Sequence, residues 1–193
     1  MESDLDLREQ VHRIYGQVAA APEAEHPFRI GREVALRAGY PPDWLAQVPA
    51  ASIDAFAGLA CLPCLAQVPP DAALLDLGCG AGLDALLMAS RVESVVGIDF
   101  SAQMLARASA SARAMGIENV EFRLGDAERI PAESSAFDAA LVNGIFNLNP
   151  ARAAIFDQLA RVIKPGGVLW AAELILKGPL PPDVKPSRED WFS

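Results

Sequence analysis

A chain of 193 residues with 52% apolar and 21% charged side chains has the length and composition of one globular domain with a sizeable core. Its formal charge of −9 argues against nucleic acid or an anionic membrane surface as a partner held by general attraction. No uncharged apolar run reads as a spanning helix. The start Met1-Glu2-Ser3-Asp4 is unlike a signal peptide, and three cysteines cannot all pair within one chain, so the reading places the protein in the cytoplasm.

The first helix is expected over residues 4–20, where Leu5, Leu7, Val11, Ile14, Tyr15 and Val18 fall on one stripe. A looser stretch punctuated by Pro22, Pro27, Gly39, Pro41, Pro42 and Pro49 follows, with short helices expected at 29–38 and 52–66. Residues 1–70 thus read as an N-terminal helical cap and 71–193 as the core of the same single domain.

From residue 72 the pattern is regular. Strands are expected at Ala73–Leu77, Val95–Ile98, Val120–Arg123, Ala139–Val142 and Val168–Leu174, and helices at 83–91, 102–115 and 150–163. Ser101 is the expected N-cap and Gly116 the stop of the second of these helices. Asn149 and Pro150 are the expected cap and first residue of the third. Alternating strands and helices predict an α/β fold, a Rossmann-like doubly wound and mostly parallel sheet covered on both faces. Ligands of such sheets sit at the carboxyl ends of the strands.

That edge carries the polar and glycine positions. Leu74-Leu75-Asp76-Leu77-Gly78-Cys79-Gly80-Ala81-Gly82 reads as an apolar strand ending in an acid and running into three alternate glycines, with a helix behind them. Such a turn lets a ligand approach the backbone closely and opens free N–H groups towards it. A pyrophosphate has no use for a carboxylate at Asp76, whereas the cationic aminoacyl end of S-adenosylmethionine does. The G-x-G-x-G spacing and Asp76 count likewise against a nicotinamide dinucleotide. Asp99 ends the second strand, where a carboxylate can accept bonds from both ribose hydroxyls or cap the following helix. Asp126, after Gly125, could accept from an adenine amino group, with Ala127 offering backbone contact. Asn143 and Asn147 follow the fourth strand, which in a doubly wound sheet lies beside the first, and they are candidates for polar contacts or for turn and cap roles.

Asp76 with the three glycines, Asp99, Gly125-Asp126 and the Lys164-Pro165-Gly166-Gly167 turn resemble the class I S-adenosylmethionine methyltransferases. Within that class, Leu74 to Asp84, Val96 to Met104, Asn119 to Asp126 and Val142 to Pro150 resemble the arsenite methyltransferases, as do Tyr15-Gly16 and Gly39-Tyr40-Pro41. The resemblance implies S-adenosylmethionine as cofactor. It implies a pocket made by Tyr15, Asp76, Gly78, Gly80, Gly82, Asp99, Phe100, Met104, Asp126, Ala127 and Asn143, with a small-molecule acceptor such as arsenite beside it.

The family's cysteine after the fourth-strand Asn is Gly144 here, and its Trp-x-x-Cys segment meets the ending Trp191-Phe192-Ser193. The reading is therefore of a truncated frame, as at a stop codon read as selenocysteine, with the final strands missing. An exposed fifth-strand edge would then offer a homodimer contact. The alternative is an impaired cofactor-binding module that has lost its acceptor half.

Three cysteines remain. Cys61-Leu62-Pro63-Cys64 could chelate a metalloid, form a redox disulfide, or simply fill an apolar segment. With only His12 and His26 beside one C-x-x-C, no zinc set is complete. Cys79 reads as a small residue of the glycine loop.

Overall fold

The centre of the molecule is the strand β1 (Ala73–Leu77), whose side chains from Leu74 to Leu77 are all buried. A strand apolar on both sides must be covered on both faces, and it lies between β2 (Ser94–Asp99) and β4 (Phe137–Asn143). With β3 (Val120–Leu124) and β5 (Ile163–Ala172) the sheet order is β3-β2-β1-β4-β5, and every pairing is parallel. The fourth strand lies beside the first, as the doubly wound pattern requires. The structure is a computed structural model and describes residues 2–175 and 178, with side chains from Leu7 onward.

Period-two alternation sends successive side chains to opposite faces. Leu75 and Leu77 join Ala140 and Val142 against Ile155, Leu159 and Val162 of one helix. Leu74, Ala139 and Leu141 pack on the other face against Ala85, Met88 and Ala89.

The helices follow the expected order, with instructive differences. The first, α1 (Glu2–Ala20), buries Val11 and Val18 of the anticipated stripe. The region expected as two helices at 29–38 and 52–66 is four short ones: α2 (Arg32–Arg37), α3 (Pro42–Leu45), α4 (Ala50–Ile53) and α5 (Leu62–Leu65). Prolines set the starts of the last three, because they suit a first turn and cannot donate within a helix. Pro42 opens α3, Pro49 precedes α4 and Pro63 lies in the first turn of α5.

Beyond the cap, α6 (Leu83–Ala89) ends two residues earlier than expected, and α7 (Ala102–Met115) matches its expected bounds. Ser101 Oγ accepts from Met104 N at 3.3 Å, and Gly116 ends α7 in the left-handed region. The last helix, α8 (Arg152–Val162), corrects the expected cap. Ala151 is its N-cap, and Asn149 instead closes a local turn by accepting from Ala151 N at 2.7 Å. A single helical turn over Phe146–Leu148 occupies the chain just before it.

β5 begins at Ile163 rather than Val168: Ile163 pairs with Phe137 of β4, the chain then passes through Gly166 at φ +84°, and pairing resumes from Val168 onward. It is the outer strand among the described residues, with Val168 exposed. The Trp191-Phe192-Ser193 ending lies outside those residues. No described helix is long and apolar enough to cross a membrane.

Candidate active site: a buried acid cluster around a glycine turn

The turn after β1 holds Gly78, Gly80 and Gly82 at φ +75°, +52° and +84°, all in the left-handed region. Each has a different reason to lack a side chain. A Cβ on Gly78 would lie 2.5 Å from Ile145 Cγ2, and one on Gly82 2.9 Å from Ala108 Cβ and 3.0 Å from the Phe122 ring. A Cβ on Gly80 would meet nothing within 4 Å, because Gly80 borders an open cleft at the carboxyl ends of the strands. The backbone N–H groups of Gly78 and Cys79 donate to Ile98 O at 2.8 and 3.1 Å, fixing the turn against β2.

Three carboxyl groups are buried around this turn. Asp99 accepts from Gly80 N at 2.9 Å through one oxygen and from Ser101 N at 2.8 Å through the other. It thereby ties the glycine turn to the start of α7, which makes the cap role and a ligand-facing position compatible in one residue. Burial pushes its carboxyl above the usual range, and the two backbone N–H groups and the nearby His12 offset part of that rise. Asp76 is 2% exposed, and its Oδ2 has no hydrogen-bond partner. Burial raises its carboxyl well above the ordinary value, and the Asp84 charge adds to the rise.

Asp84, in the first turn of α6, is the member that the sequence analysis did not single out. Tyr40 Oη donates to its Oδ1, and Asn143 Nδ2 donates to its Oδ2 at 2.9 Å. Burial raises its carboxyl to about 6, with those two donors pulling the other way. A helix-start acid reads as routine dipole complementation, so only its burial marks it. Tyr40 is also buried, and its hydroxyl is pushed up by burial and by the Asp84 charge.

Asn143 is placed at the cleft as expected, but its side chain is occupied. Its Oδ1 accepts from Leu59 N at 2.8 Å and Ala60 N at 3.3 Å, while Nδ2 donates to Ala60 O at 2.9 Å and to Asp84. An amide offers two donors and two lone pairs, so none remains for a ligand. The expected polar contact from this side chain is corrected to a clamp between the cap and the sheet edge. Asn147 likewise turns its side chain to the protein, donating to Leu174 O at 2.5 Å.

The opposite wall comes from α1. His12 stacks on Phe100 with ring centroids 4.1 Å apart, and Tyr15 meets the same ring edge-on. Met104 is buried in the cluster that Tyr15 packs against. Burial, then the charge of Asp99, pushes the Tyr15 hydroxyl up. Arg8 donates to Glu128 at 2.7 Å and lies 3.7 Å from Asp126. Asp126 and Ala127 border the cleft after β3, as expected, with the Asp126 side chain half-exposed. Ten of the eleven residues expected at the pocket border this one cleft; Gly82 does not, facing Ala108 and Phe122 instead. Cys79 borders it too, its thiol held protonated by burial and by the charges of Asp76 and Asp99.

A sheet of this order with a glycine turn at the carboxyl end of its first strand defines a Rossmann-like methyltransferase fold. The comparisons agree. The chain belongs to the methyltransferase domain family, whose model matches residues 70–192. Among solved structures, YcgJ from Bacillus subtilis is 30% identical with a TM-score of 0.53, covering 56% of this chain and 47% of that one. The [4+2]-cyclase SpnF is 28% identical with a TM-score of 0.61, covering 85% of this chain and 59% of that one.

Among curated proteins, an arsenite methyltransferase of Halobacterium salinarum is 34% identical over 152 residues, 77% of this chain. One from Aquipseudomonas alcaligenes is 34% identical over 111 residues, 52% of this chain. The chain spans 39% and 32% of the length of those two relatives. A demethylmenaquinone methyltransferase of Bacillus cytotoxicus is also 34% identical, over 55% of this chain and 46% of its own.

Family membership assigns S-adenosylmethionine as the cofactor, and the cleft suits it. A buried carboxylate oxygen without a partner and an open cradle at Gly80 fit a ligand that carries positive charge and lies against the backbone.

Proposed function

We propose that this chain transfers a methyl group from S-adenosylmethionine to a small acceptor. The observation that carries the reading is the cluster of Asp76, Asp84 and Asp99, buried with no Lys or Arg paired to it among the described residues. Buried acids of like charge raise one another's pKa and await a cation. In this reading Asp76 faces the aminoacyl end, Asp99 accepts from the ribose hydroxyls, and Asp126 with Ala127 borders the adenine. The backbone of Gly78 and Gly80 lets the cofactor lie close, while Gly82 lets the turn pack against Ala108 and Phe122. Tyr15, Phe100 and Met104 exclude water from one side, and Asn143 holds the wall on the other.

S-adenosylmethionine supplies a methyl carbon already activated by its sulfonium. The residues around it therefore act by alignment and by exclusion of water.

For the acceptor we propose a thiophilic metalloid, with arsenite the first to test. The names of two relatives support it. Within the described residues, Cys61 and Cys64 form the one pair of neighbouring thiols when reduced. Position 144 offers no thiol. Its φ of +82° and the Leu59 atoms 3.2–3.3 Å from a Cβ there suit the glycine present. We propose the reducing cytosol as the compartment, on the composition, and a homodimer through β5 as the assembly to look for by sedimentation.

Calorimetric titration of S-adenosylhomocysteine into the chain tests the cofactor site. Asp99→Ala should weaken binding by about tenfold or more, the scale of lost bonds to a charged group. Unchanged affinity in that variant, or no binding by the folded wild-type chain, would remove the reading.

A further inference from the structure

We propose that Cys61 and Cys64 are a thiol–disulfide exchange site whose state is read at the wall of the cleft. The exchange chemistry stands on the two sulfurs alone, and its link to the cofactor rests on the function proposed above. The two cysteines are disulfide-bonded, with Cα atoms 5.3 Å apart. They differ in access, Cys61 being 3% exposed and Cys64 lying at the surface. An incoming thiolate must reach a disulfide sulfur directly, so the geometry selects Cys64 as the sulfur attacked and Cys61 as the one that leaves.

Two further contacts support a reversible pair. Arg91 donates to Pro63 O at 2.7 Å and lies over the Trp44 ring at 4.2 Å, so a guanidinium is held beside the tetrapeptide. A nearby cation favours the thiolate form. Gly39 O lies 3.7 Å from Cys64 Sγ and can accept the thiol hydrogen once the bond opens.

The connection to the cleft is short. Ala57 and Gly58 border it, Leu59 and Ala60 carry the three bonds to Asn143, and Cys61 follows directly. Tyr40 Oη, which donates to Asp84, also lies 3.2 Å from Ala60 O. Closing the Cys61–Cys64 ring restrains the chain just after this wall, and opening it returns freedom there.

A dithiol reductant opens the bond in two steps. One thiolate of the reductant attacks Cys64 Sγ, the S–S bond breaks, and Cys61 leaves as a thiolate and takes a proton. The second thiol of the reductant then displaces Cys64, giving two protein thiols and the reductant's own disulfide. Two electrons pass to the protein. A small-molecule disulfide reverses the reaction, leaving as two thiols. Disulfides of reducing compartments are characteristically of this transient kind.

The test uses the full chain and glutathione. In Cys61→Ser, oxidised glutathione should leave a mixed disulfide on Cys64, located by peptide mass, while Cys64→Ser should leave Cys61 unmodified in the folded chain. The oxidised wild-type chain should bind S-adenosylhomocysteine at least about fivefold more tightly than the reduced one. The double Ser variant should show no redox dependence. Preferential modification of Cys61, or equal affinity in both redox states, overturns the proposal. Absence of binding in both states would sink the cofactor reading instead, and the glutathione map would then decide the exchange site by itself.

Discussion

Replacing Asp76 with Asn should stabilise the unliganded chain at pH 8 and at the same time remove tight cofactor binding. Asp76 is buried, its Oδ2 is unpartnered, and Asp84 and Asp99 add like charge nearby. Ionising it inside the fold costs free energy that a cation would offset and that an amide of nearly the same shape never incurs. An acid whose folded pKa exceeds its unfolded value binds its proton more tightly when folded. Its contribution to stability therefore falls as pH rises between the two values.

For Asp84 that window runs from the ordinary 3.8 to about 6, and for Asp76, whose rise is greater in kind, the loss continues upward. The unliganded wild-type chain should accordingly lose thermal stability from pH 4 to neutrality. Asn at position 76 should recover about 2–4 °C at pH 8, equivalent to ~1 kcal/mol for a chain of this size. Binding should behave in the opposite sense. A cationic ligand favours the ionised acids, so its affinity should increase through pH 6 with release of a proton, seen as a buffer-dependent calorimetric heat. Asp76→Asn should weaken S-adenosylhomocysteine by about 30-fold or more, the scale for removing one member of a buried charge pair. A variant that binds normally, or that is less stable at pH 8, would contradict this account of the cluster.

The second large effect separates two glycines that look alike in the sequence. Gly82→Ala should destabilise the chain by about 2–5 kcal/mol, from ~1–2 for a left-handed backbone with a Cβ and ~1–3 for overpacking. The clash is with Ala108 and Phe122, on α7 and β3, so it falls on the core rather than on the cleft. Gly80→Ala shares the backbone cost alone, because nothing stands within 4 Å of its Cβ. It should stay folded, with a loss of about 1–2 kcal/mol. Its methyl would intrude where the cofactor is to lie, and S-adenosylhomocysteine should weaken by about tenfold. Urea melts and calorimetry on the two variants check both halves. If Gly80→Ala binds normally, the ligand does not press against the turn.

The sheet was legible because its strands carry near-continuous apolar runs that have few alternatives. Leu74 and Leu75 are fully buried, and so are Leu141 and Val142. Ser101 and Gly116 marked the ends of α7 because each supplies a specific backbone need, an acceptor and a left-handed residue. The glycine turn was legible for the same reason.

The cap was not, since its four short helices are held by tertiary bonds rather than by a periodic stripe. Tyr40 to Asp84 and Ser52 Oγ to Ser111 Oγ at 2.8 Å both join residues far apart in the chain. Asp84 was missed because its position looks like ordinary helix capping, and Asn143 was misread because its bonding partners lie in the cap. Sequence spacing shows where a side chain stands along a strand, whereas its partners depend on what folds over it.

The placement of Asn143 also has a consequence for the order in which the chain can assemble. β1 lies at the centre of the sheet and pairs with β4, which is made long after it. Asn143 is the last residue of β4, yet it satisfies three backbone groups of Leu59 and Ala60. During synthesis the cap therefore emerges first and cannot complete its own bonding until the fourth strand arrives. Nucleation confined to the N-terminal half is disfavoured, because its central strand and its cap share one late partner. Parallel pairings of large sequence separation are slow to close, and here that single closure completes the sheet centre and the wall of the cleft together.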